Sequence, residues 1–265
     1  MARTADDLFG VRLVRDGPVA ELVLNEPERR NPMSPAIMRG LAAACDRIEA
    51  DRARIGCVIV TGAGSAFSAG GDLVYNDANL QGEVSAQRTF LEELYRPFLR
   101  LLDLPVPTIC AVNGVAVGGG LALAMLCDLR IMSESARLVT AFGKMGFFPG
   151  LGLTYSFERL LGPSKALELL YRGAEISAGD AVSLGLAAGA APPAELMAQA
   201  RAMAAEIAAN SAFVNQLVKS AIMGGYRGEL RRRLERDILA QVLTSVGEDY
   251  RQRRAAMKQA RSKSP

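Results

Sequence analysis

The chain contains no histidine among its 265 residues. This absence excludes Ser-His-Asp and Cys-His nucleophilic catalysis, together with every metal site that depends on an imidazole ligand. Any proton transfer must therefore use a carboxylate, a tyrosine, a lysine, a cysteine or water. The alternative is a protein that supplies electrostatic stabilisation and no proton chemistry of its own.

Cysteine is scarce, and no two cysteines have the C-x-x-C spacing of a redox or zinc motif. The four residues, Cys45, Cys57, Cys110 and Cys127, each lie among aliphatic side chains. Such cysteines usually behave as small buried hydrophobic residues in a reducing compartment. We therefore expect free thiols, and neither a disulfide framework nor a metal site.

Long uncharged apolar runs are also absent, and the amino-terminal stretch has no apolar signal-peptide core. The formal net charge of +3 is too small to indicate a nucleic-acid partner. These features predict a cytosolic protein that binds neither membrane nor nucleic acid. The length suits one large domain, or one domain with a smaller appendage.

Strand and helix patterns alternate over the first two-thirds of the chain, and helical patterns alone follow. Residues 11–25 predict two strands joined by an Asp-Gly-Pro turn, and Cys57–Thr61 predicts a buried strand. Ser34 before Pro35 predicts the start of a helix that ends near residue 51. The pattern indicates the α/β class, with a core over residues 1–195 and a helical region over 196–265.

Two further expectations concern irregular regions. Residues 65–84 are rich in Gly, Ser, Asn and Asp, which predicts a loop. The carboxy-terminal helical region should be interrupted near Asn210 and again at Gly224-Gly225. We see no internal repeat.

Two glycine-rich segments, residues 65–73 and 112–120, each follow a β-branched strand and lead towards a predicted helix. Glycine lets the backbone approach a ligand closely, and the start of a helix presents unpaired N–H groups. Two such groups facing one carbonyl oxygen would form an oxyanion hole. Taken singly, each segment is more often a tight packing point, and neither matches a dinucleotide or Walker motif.

Taken together, in this order and separation, the two segments resemble the signature segments of the crotonase (enoyl-CoA hydratase/isomerase) family. Residues 25–33, 161–166 and 173–181 show the same similarity, which extends over roughly residues 10–225. The resemblance implies a repeated ββα spiral core, followed by carboxy-terminal helices that mediate trimers, often stacked into hexamers. It also implies lyase or isomerase chemistry on acyl-CoA thioesters of the kind found in fatty acid metabolism.

Site residues follow from the same resemblance. The oxyanion-hole amides would be the N–H groups of Gly71 and Gly119. The coenzyme A part of the substrate would be bound by four residues of the first loop and its surroundings: Arg29, Ala69, Asp72 and Leu73. Asp72 would mainly hold the turn, and Arg29 or its neighbour would reach a CoA phosphate unless it is only a solvated surface residue. No cofactor separate from the substrate and no metal is implied.

The sequence departs from the family where catalytic carboxylates are expected. Hydratases of the family use two glutamates, whose positions here are Ala122 and Phe142, and other branches use an aspartate whose position is Gly150. None of these three residues can transfer a proton. Ordinary two-glutamate hydration is therefore chemically unsupported by the sequence.

Replacement acid or base candidates lie on the helix after the first loop, with Glu93 and Tyr95 foremost and Glu92 beside them. For each of them, a surface carboxylate or a packed tyrosine is the competing interpretation. A phenol with its ordinary pKa near ~10 is a poor base, so Tyr95 suits hydrogen-bond donation better. Two functions stay open: an acyl-CoA enzyme with an unidentified acid or base, and a non-catalytic acyl-CoA-binding protein on the same fold.

Overall fold

A computed structural model describes residues 3–262, with side chains through residue 259. Residues 1–2 of the predicted core and residues 263–265 of the predicted helical region lie outside the described residues. The strands are β1 (Thr4–Leu8), β2 (Val11–Asp16), β3 (Val19–Leu24), β4 (Pro32–Met33), β5 (Cys57–Gly62), β6 (Ala66–Ser68), β7 (Gly70–Gly71), β8 (Thr108–Val112), β9 (Val115–Val117), β10 (Leu129–Ser133), β11 (Arg137–Val139), β12 (Glu175–Ser177) and β13 (Gly189–Ala191). The helices are α1 (Pro35–Ala50), α2 (Leu73–Asn79), α3 (Val84–Asp103), α4 (Gly119–Met125), α5 (Phe142–Met145), α6 (Leu153–Leu161), α7 (Pro163–Arg172), α8 (Ala178–Ser183), α9 (Leu196–Ala209), α10 (Ala212–Ser245) and α11 (Glu248–Ser262).

The strands form three sheets. A seven-stranded sheet has the order β1-β2-β3-β5-β8-β10-β13, with an antiparallel hairpin edge and parallel pairing from β3 onwards. A four-stranded sheet has the order β12-β11-β9-β6, and a small parallel pair joins β4 to β7. The chain passes repeatedly from the large sheet into the smaller ones, which confirms the expected α/β class and spiral core.

The large sheet is covered on both faces, as parallel sheets require. Side chains of β5 alternate: Val58 and Val60 join the main core, whereas Cys57 and Ile59 face a second apolar layer. Helix α9 completes that second layer with residues spaced four apart along one side, Leu196, Ala200 and Ala204. Helix α9 begins where the predicted helical region begins.

Several predicted elements are confirmed. The hairpin of β2 and β3 pairs Val11 with Leu24 and Asp16 with Val19 across the Asp-Gly-Pro turn. Helix α1 starts after Ser34, whose hydroxyl accepts the Ile37 N–H at 3.1 Å. All four cysteines are free and buried, as expected from their aliphatic neighbours.

Two expectations about irregular regions were wrong. Residues 65–84 contain β6, β7 and α2, because short backbone pairings and the Asp72 cap order a segment whose composition alone favours a loop. Helix α10 runs through Gly224-Gly225 without a break. Glycine costs only about 1 kcal/mol in a helix interior, and burial of Tyr226, Leu230 and Leu234 just beyond it offsets that cost.

An ion pair with a buried lysine fastens α10 to the segments that lead into β8 and β10. Lys219 Nζ lies 2.7 Å from Asp128 Oδ2 and donates to the Val106 carbonyl at 2.8 Å. The same carboxylate oxygen accepts the Thr108 N–H at 2.8 Å. Burial lowers the pKa of Lys219, because a desolvated ammonium is disfavoured. Within residues 3–262, no helix has the length and apolar character needed to cross a bilayer.

We expect Lys219→Met to destabilise the protein by about 3 kcal/mol, because it leaves the Asp128 carboxylate, only 19% exposed, without its cation. Urea unfolding followed by circular dichroism measures the loss. Lys165→Met is the matched control, since Lys165 is 42% exposed and its ion pair is open to solvent. An equal effect of the two substitutions would contradict the structural role of Lys219.

Candidate active site

The sheet topology brings the two glycine-rich segments together. Strands β5 and β8 are parallel neighbours in the large sheet, so the chain leaves both at the same edge. Their continuations, β6 and β9, then pair with each other in the four-stranded sheet, with Ala66 opposite Val115. Gly70-Gly71 and Gly118-Gly119 follow these strands, and therefore meet.

The backbones of the two segments touch so closely that only glycine fits. An ideal Cβ atom placed on Gly70 would lie 2.3 Å from the Val117 carbonyl oxygen and 3.1 Å from Gly119 N. One placed on Gly119 would lie 2.5 Å from Met33 Sδ and 3.5 Å from Gly71 N. Gly70 also has a φ of 82°, which glycine adopts most readily. The Gly71 and Gly119 amides are thus neighbours across this contact.

Two asparagines hold the loops in place. Buried Asn31 donates through Nδ2 to the carbonyls of Ala63 and Ala66 at 2.9 and 3.0 Å. Its own carbonyl accepts the Ser68 hydroxyl at 2.7 Å. Asn113, from the second segment, reaches across to accept the Gly62 N–H at 3.1 Å. Because the two asparagine side chains bond mainly to backbone groups of the loops, they fix the loop geometry from behind the glycines.

A cavity of about 670 Å³ opens beside this contact and includes both Gly71 and Gly119 in its wall. Most of its lining is apolar, including Met33, Leu94 and Phe147. Its size and apolar lining are typical of small-molecule sites. Helices α10 and α11 also contribute to the wall, through Gln241, Tyr250 and Met257.

Asp72 caps α2, which agrees with the expectation that this residue holds the turn. Its Oδ1 accepts the N–H groups of Val74 and Tyr75 at 3.1 and 3.3 Å. Its Oδ2 accepts from Arg29 at 2.8 Å, and Arg29 also lies 3.4 Å from Glu26. The hydrogen bond to Asp72 raises the pKa of Arg29. Arg29 lines the cavity, but two carboxylates already share its charge.

Ala69 and Leu73 also lie in the cavity wall. The Ala69 N–H donates to the Arg30 carbonyl at 2.7 Å, and the Leu73 carbonyl accepts from Arg254 at 3.1 Å. One backbone group of each residue is therefore occupied by the protein itself. Within residues 3–262, the Ala69 carbonyl and the Leu73 N–H make no backbone hydrogen bond of this kind.

The two acid or base candidates separate in the structure. Tyr95 is 5% exposed, lines the cavity and donates its hydroxyl to Gln241 Oε1 at 2.7 Å. Burial raises the pKa of Tyr95 well above its usual range, so the phenol stays neutral. Glu93 is exposed on α3, and it does not line the cavity. Glu92 is exposed too and pairs with Arg88 at 2.7 Å.

The three positions where carboxylates were expected differ in their surroundings. Ala122 is buried in α4, and Phe142 places its ring 3.5 Å from where a Gly118 Cβ would lie. A Cβ on Gly150 would lie 2.2 Å from Tyr95 Oη and 2.5 Å from Gln241 Nε2. The tyrosine and glutamine therefore occupy the space that a side chain at position 150 would need.

Gln241 is the residue of this site that sequence reasoning missed. In the sequence, the apolar residues Leu230, Leu234, Ile238 and Val242 recur at helical spacing, which indicates a packed face but gives no role to the polar residues beside it. Asp237 and Gln241 lie four residues apart along the same buried face, each about 1% exposed. Polar residues at helical spacing next to an apolar stripe were the available signal.

Comparisons with known proteins give a consistent result. The family model described as Enoyl-CoA hydratase/isomerase matches residues 15–260. The protein named 1,2-epoxyphenylacetyl-CoA isomerase, from Escherichia coli K12, is 40% identical over 171 residues, which are 63% of this chain and 64% of that protein. The protein named Probable enoyl-CoA hydratase EchA14, from Mycobacterium tuberculosis, is 41% identical over 177 residues, 67% of this chain and 68% of that protein.

Solved structures extend the similarity to nearly the whole chain. An enoyl-CoA hydratase/isomerase from Mycobacterium paratuberculosis superposes with a TM-score of 0.84 at 28% identity, covering 95% of this chain and 99% of that one. An enoyl-CoA hydratase from Bacillus halodurans gives a TM-score of 0.86 at 23% identity, covering 93% and 99%, and supports the fold alone.

Asp237 is a buried carboxylate close to this site, bonded at 3.0 Å by the Thr154 hydroxyl and flanked by Arg233 and Arg236. Burial outweighs these partners and raises its pKa above the ordinary 3.8. The native chain therefore keeps a proton that the unfolded chain has lost, and stability falls as pH rises through the raised pKa. We expect Asp237→Asn to become increasingly stable relative to the natural protein between about pH 4 and pH 7.

Thermal or urea unfolding across this pH range measures the difference. Asn can still accept from Thr154, so the comparison isolates the ionisation. Asp7→Asn, at an exposed position, is the control and should show no such trend. A constant difference between the natural protein and Asp237→Asn at all pH values would contradict the prediction.

Proposed function

This chain belongs to the enoyl-CoA hydratase/isomerase family, and we propose that it polarises the thioester carbonyl of an acyl-CoA with the backbone N–H groups of Gly71 and Gly119. The family assignment supports an enzyme of acyl-CoA chemistry, because relatives carry names of hydratases and isomerases. The oxyanion hole is the specific step that we add.

One observation carries the proposal: two backbone amides from separate loops adjoin at the wall of a cavity large enough for an acyl group. Gly119 is the first residue of α4, so helical hydrogen bonding does not use its N–H. Among residues 3–262, that N–H has no backbone acceptor. Fixed donors at a developing oxyanion stabilise the transition state more than the ground state, which is the requirement for catalysis.

We further propose that the usual carboxylate chemistry is missing. Of the cavity-lining residues, Asp72 has a carboxylate, and its two oxygens are engaged by Val74, Tyr75 and Arg29. Tyr95 is neutral and its proton is directed to Gln241. Proton movement would then depend on the substrate or on water, and the acyl group would decide between lyase and isomerase chemistry.

The coenzyme A portion would lie at the Arg29 side of the cavity, along Ala69, Asp72 and Leu73. Backbone groups of the loop would contact it, and Arg29 would approach a phosphate while keeping its bond to Asp72. In this proposal coenzyme A enters only as part of the substrate. The second candidate is a non-catalytic acyl-CoA-binding protein, which the engaged or absent carboxylates favour.

We expect purified protein to bind crotonyl-CoA, and to hydrate it far more slowly than a two-glutamate enzyme does. General acid–base groups contribute about 10²–10⁴-fold each, and none of the usual ones is present. Loss of the conjugated thioester absorbance measures hydration. A panel of 2-enoyl-, 3-enoyl- and saturated acyl-CoAs then tests isomerisation and hydrolysis, and turnover of any member separates the enzyme from the binding protein.

Gly119→Ala tests the amide pair directly, because its methyl group would enter the space beside Gly71 N and displace Met33. We expect a loss of about 10²–10³-fold in turnover of whichever ester reacts. If no ester reacts, the carbonyl stretch of bound crotonyl-CoA should shift less in the variant. Gly179→Ala is the control, since a methyl group there meets no atom within 4 Å. Unchanged values for Gly119→Ala would exclude the proposed oxyanion hole.

We also propose that the chain assembles as a trimer, or as a hexamer of two trimers, through the carboxy-terminal helices. An exposed apolar stripe on the first half of α10 supports this. The large side chains of the stripe, with exposures of 51–69%, are Phe213, Val214, Leu217, Val218 and Ile222. Scattered apolar residues are normal on a surface, but a stripe at helical spacing indicates an interface.

Analytical ultracentrifugation should find the natural protein as a trimer or hexamer. Replacing Leu217 and Val218 with lysine should shift it towards monomers, because charges would be desolvated in the contact. Tyr171→Lys, at a 79% exposed residue on α7, is the control. A monomeric natural protein, or an assembly that tolerates the two lysines, would exclude an interface at this stripe.

A further inference from the structure

We propose that Tyr95 makes the cavity selective for acyl groups that carry a hydroxyl, by presenting its phenol oxygen as a fixed hydrogen-bond acceptor. This inference rests on the proposed binding of acyl-CoA. It assigns to Tyr95 a role in substrate choice, in place of the acid or base role that the sequence suggested. Four features of the structure lead to it.

The first feature is position. Tyr95 Oη occupies the place that the first side-chain atom of residue 150 would take, only 2.2 Å from an ideal Cβ on Gly150. Both residues line the same cavity as Gly71 and Gly119. The phenol oxygen therefore replaces any polar side chain that position 150 would have supplied, and no larger residue at 150 is compatible with it.

The second feature is the direction of the phenol proton. Gln241 Nε2 donates to the Phe148 carbonyl at 3.1 Å, which fixes which end of the amide is oxygen. Its Oε1 lies 2.7 Å from Tyr95 Oη, and an amide oxygen can only accept. Tyr95 must therefore be the donor in that bond. Towards a ligand, the phenol oxygen of Tyr95 can therefore act only as a hydrogen-bond acceptor, through its lone pairs.

The third feature is rigidity. The Phe148 N–H donates to Thr244 Oγ1 at 3.2 Å, so α10 binds the amide and the carbonyl of one residue. Gln241 is 1% exposed and Tyr95 5% exposed, and the hydrogen bonds from Tyr95 to Gln241 and from Gln241 to Phe148 hold the two side chains in place. Reversing the phenol proton would leave the buried Gln241 oxygen without a donor, which is costly.

The fourth feature is the apolar lining of the cavity that Tyr95 shares. Leu91, Leu94 and Leu151 belong to the same wall, and none of their side chains can donate a hydrogen bond. A saturated acyl chain would leave the oxygen unpaired and dehydrated, whereas a hydroxyl would pair with it. Sites built around a buried polar group discriminate against ligands that lack its partner.

Isothermal titration calorimetry with butyryl-CoA and with 2-, 3- and 4-hydroxybutyryl-CoA tests the inference. We expect at least one hydroxy ester to bind the natural protein about tenfold more tightly than butyryl-CoA, as one neutral hydrogen bond allows. Tyr95→Phe should bind butyryl-CoA and that hydroxy ester equally. Tyr226→Phe is the matched control, because it removes a buried phenol bonded to Ser156 at 2.7 Å, outside the cavity lining.

A second variant reverses the selectivity without removing the tyrosine. Gln241→Leu frees the Tyr95 proton, so the phenol becomes a donor to the cavity. This variant should gain several-fold in affinity for 3-oxobutyryl-CoA, which has a ketone oxygen and no hydroxyl. The natural protein should bind that ester no better than butyryl-CoA.

Equal affinities of the natural protein for butyryl-CoA and all three hydroxy esters would overturn the inference and leave the proposed function intact. A hydroxyl preference that survives Tyr95→Phe would overturn it as well. Failure of every CoA ester to bind would instead overturn the proposed function, and the inference with it. Should Tyr95→Phe not fold, the affinities of the natural protein and the response of Gln241→Leu still decide.

Discussion

The contact between Gly70-Gly71 and Val117–Gly119 is the constraint on which the site depends. Two backbones meet there without intervening side chains, and an added Cβ on Gly70 would come within 2.3 Å of a carbonyl oxygen. Close packing of this kind cannot relax around a larger residue. Asn31 and Asn113, by bonding backbone groups behind the glycines, keep the loops pressed together. The sheets supply the frame, but this contact determines where a carbonyl could be polarised.

Around this contact the cavity wall is mostly uncharged. The polar groups that it does contain are tied to other protein groups: Asp72 to the start of α2 and to Arg29, and Tyr95 to Gln241. Side chains tied in this way are held rigidly in place, but they are poor at donating or accepting a proton during a reaction. The proposed chemistry therefore depends on fixed dipoles, and the reactivity of the polarised acyl group determines which bond breaks next.

Much of this architecture could be predicted from the sequence, because its signals are local. The β2–β3 hairpin, the Ser34 cap and the buried cysteines follow from neighbouring residues, and the paired glycine segments indicated the family. The continuous α10 and the ordered residues 65–84 could not be predicted in the same way, since tertiary packing overrides composition there. The Tyr95–Gln241 pair joins residues 146 positions apart, and no local pattern reports which residues of α3 and α10 will meet.

Helix α10 spans 34 residues, which corresponds to about 50 Å of continuous backbone. Its amino-terminal half carries the exposed apolar stripe, Lys219 anchors it to the segments that lead into β8 and β10, and its carboxy-terminal half places Gln241 and Thr244 in contact with Phe148. A single rigid rod thus has one end at the surface and the other at the cavity. A shift of α10 along its axis, made by a contact at the outer stripe, would therefore also move Gln241 relative to the cavity wall.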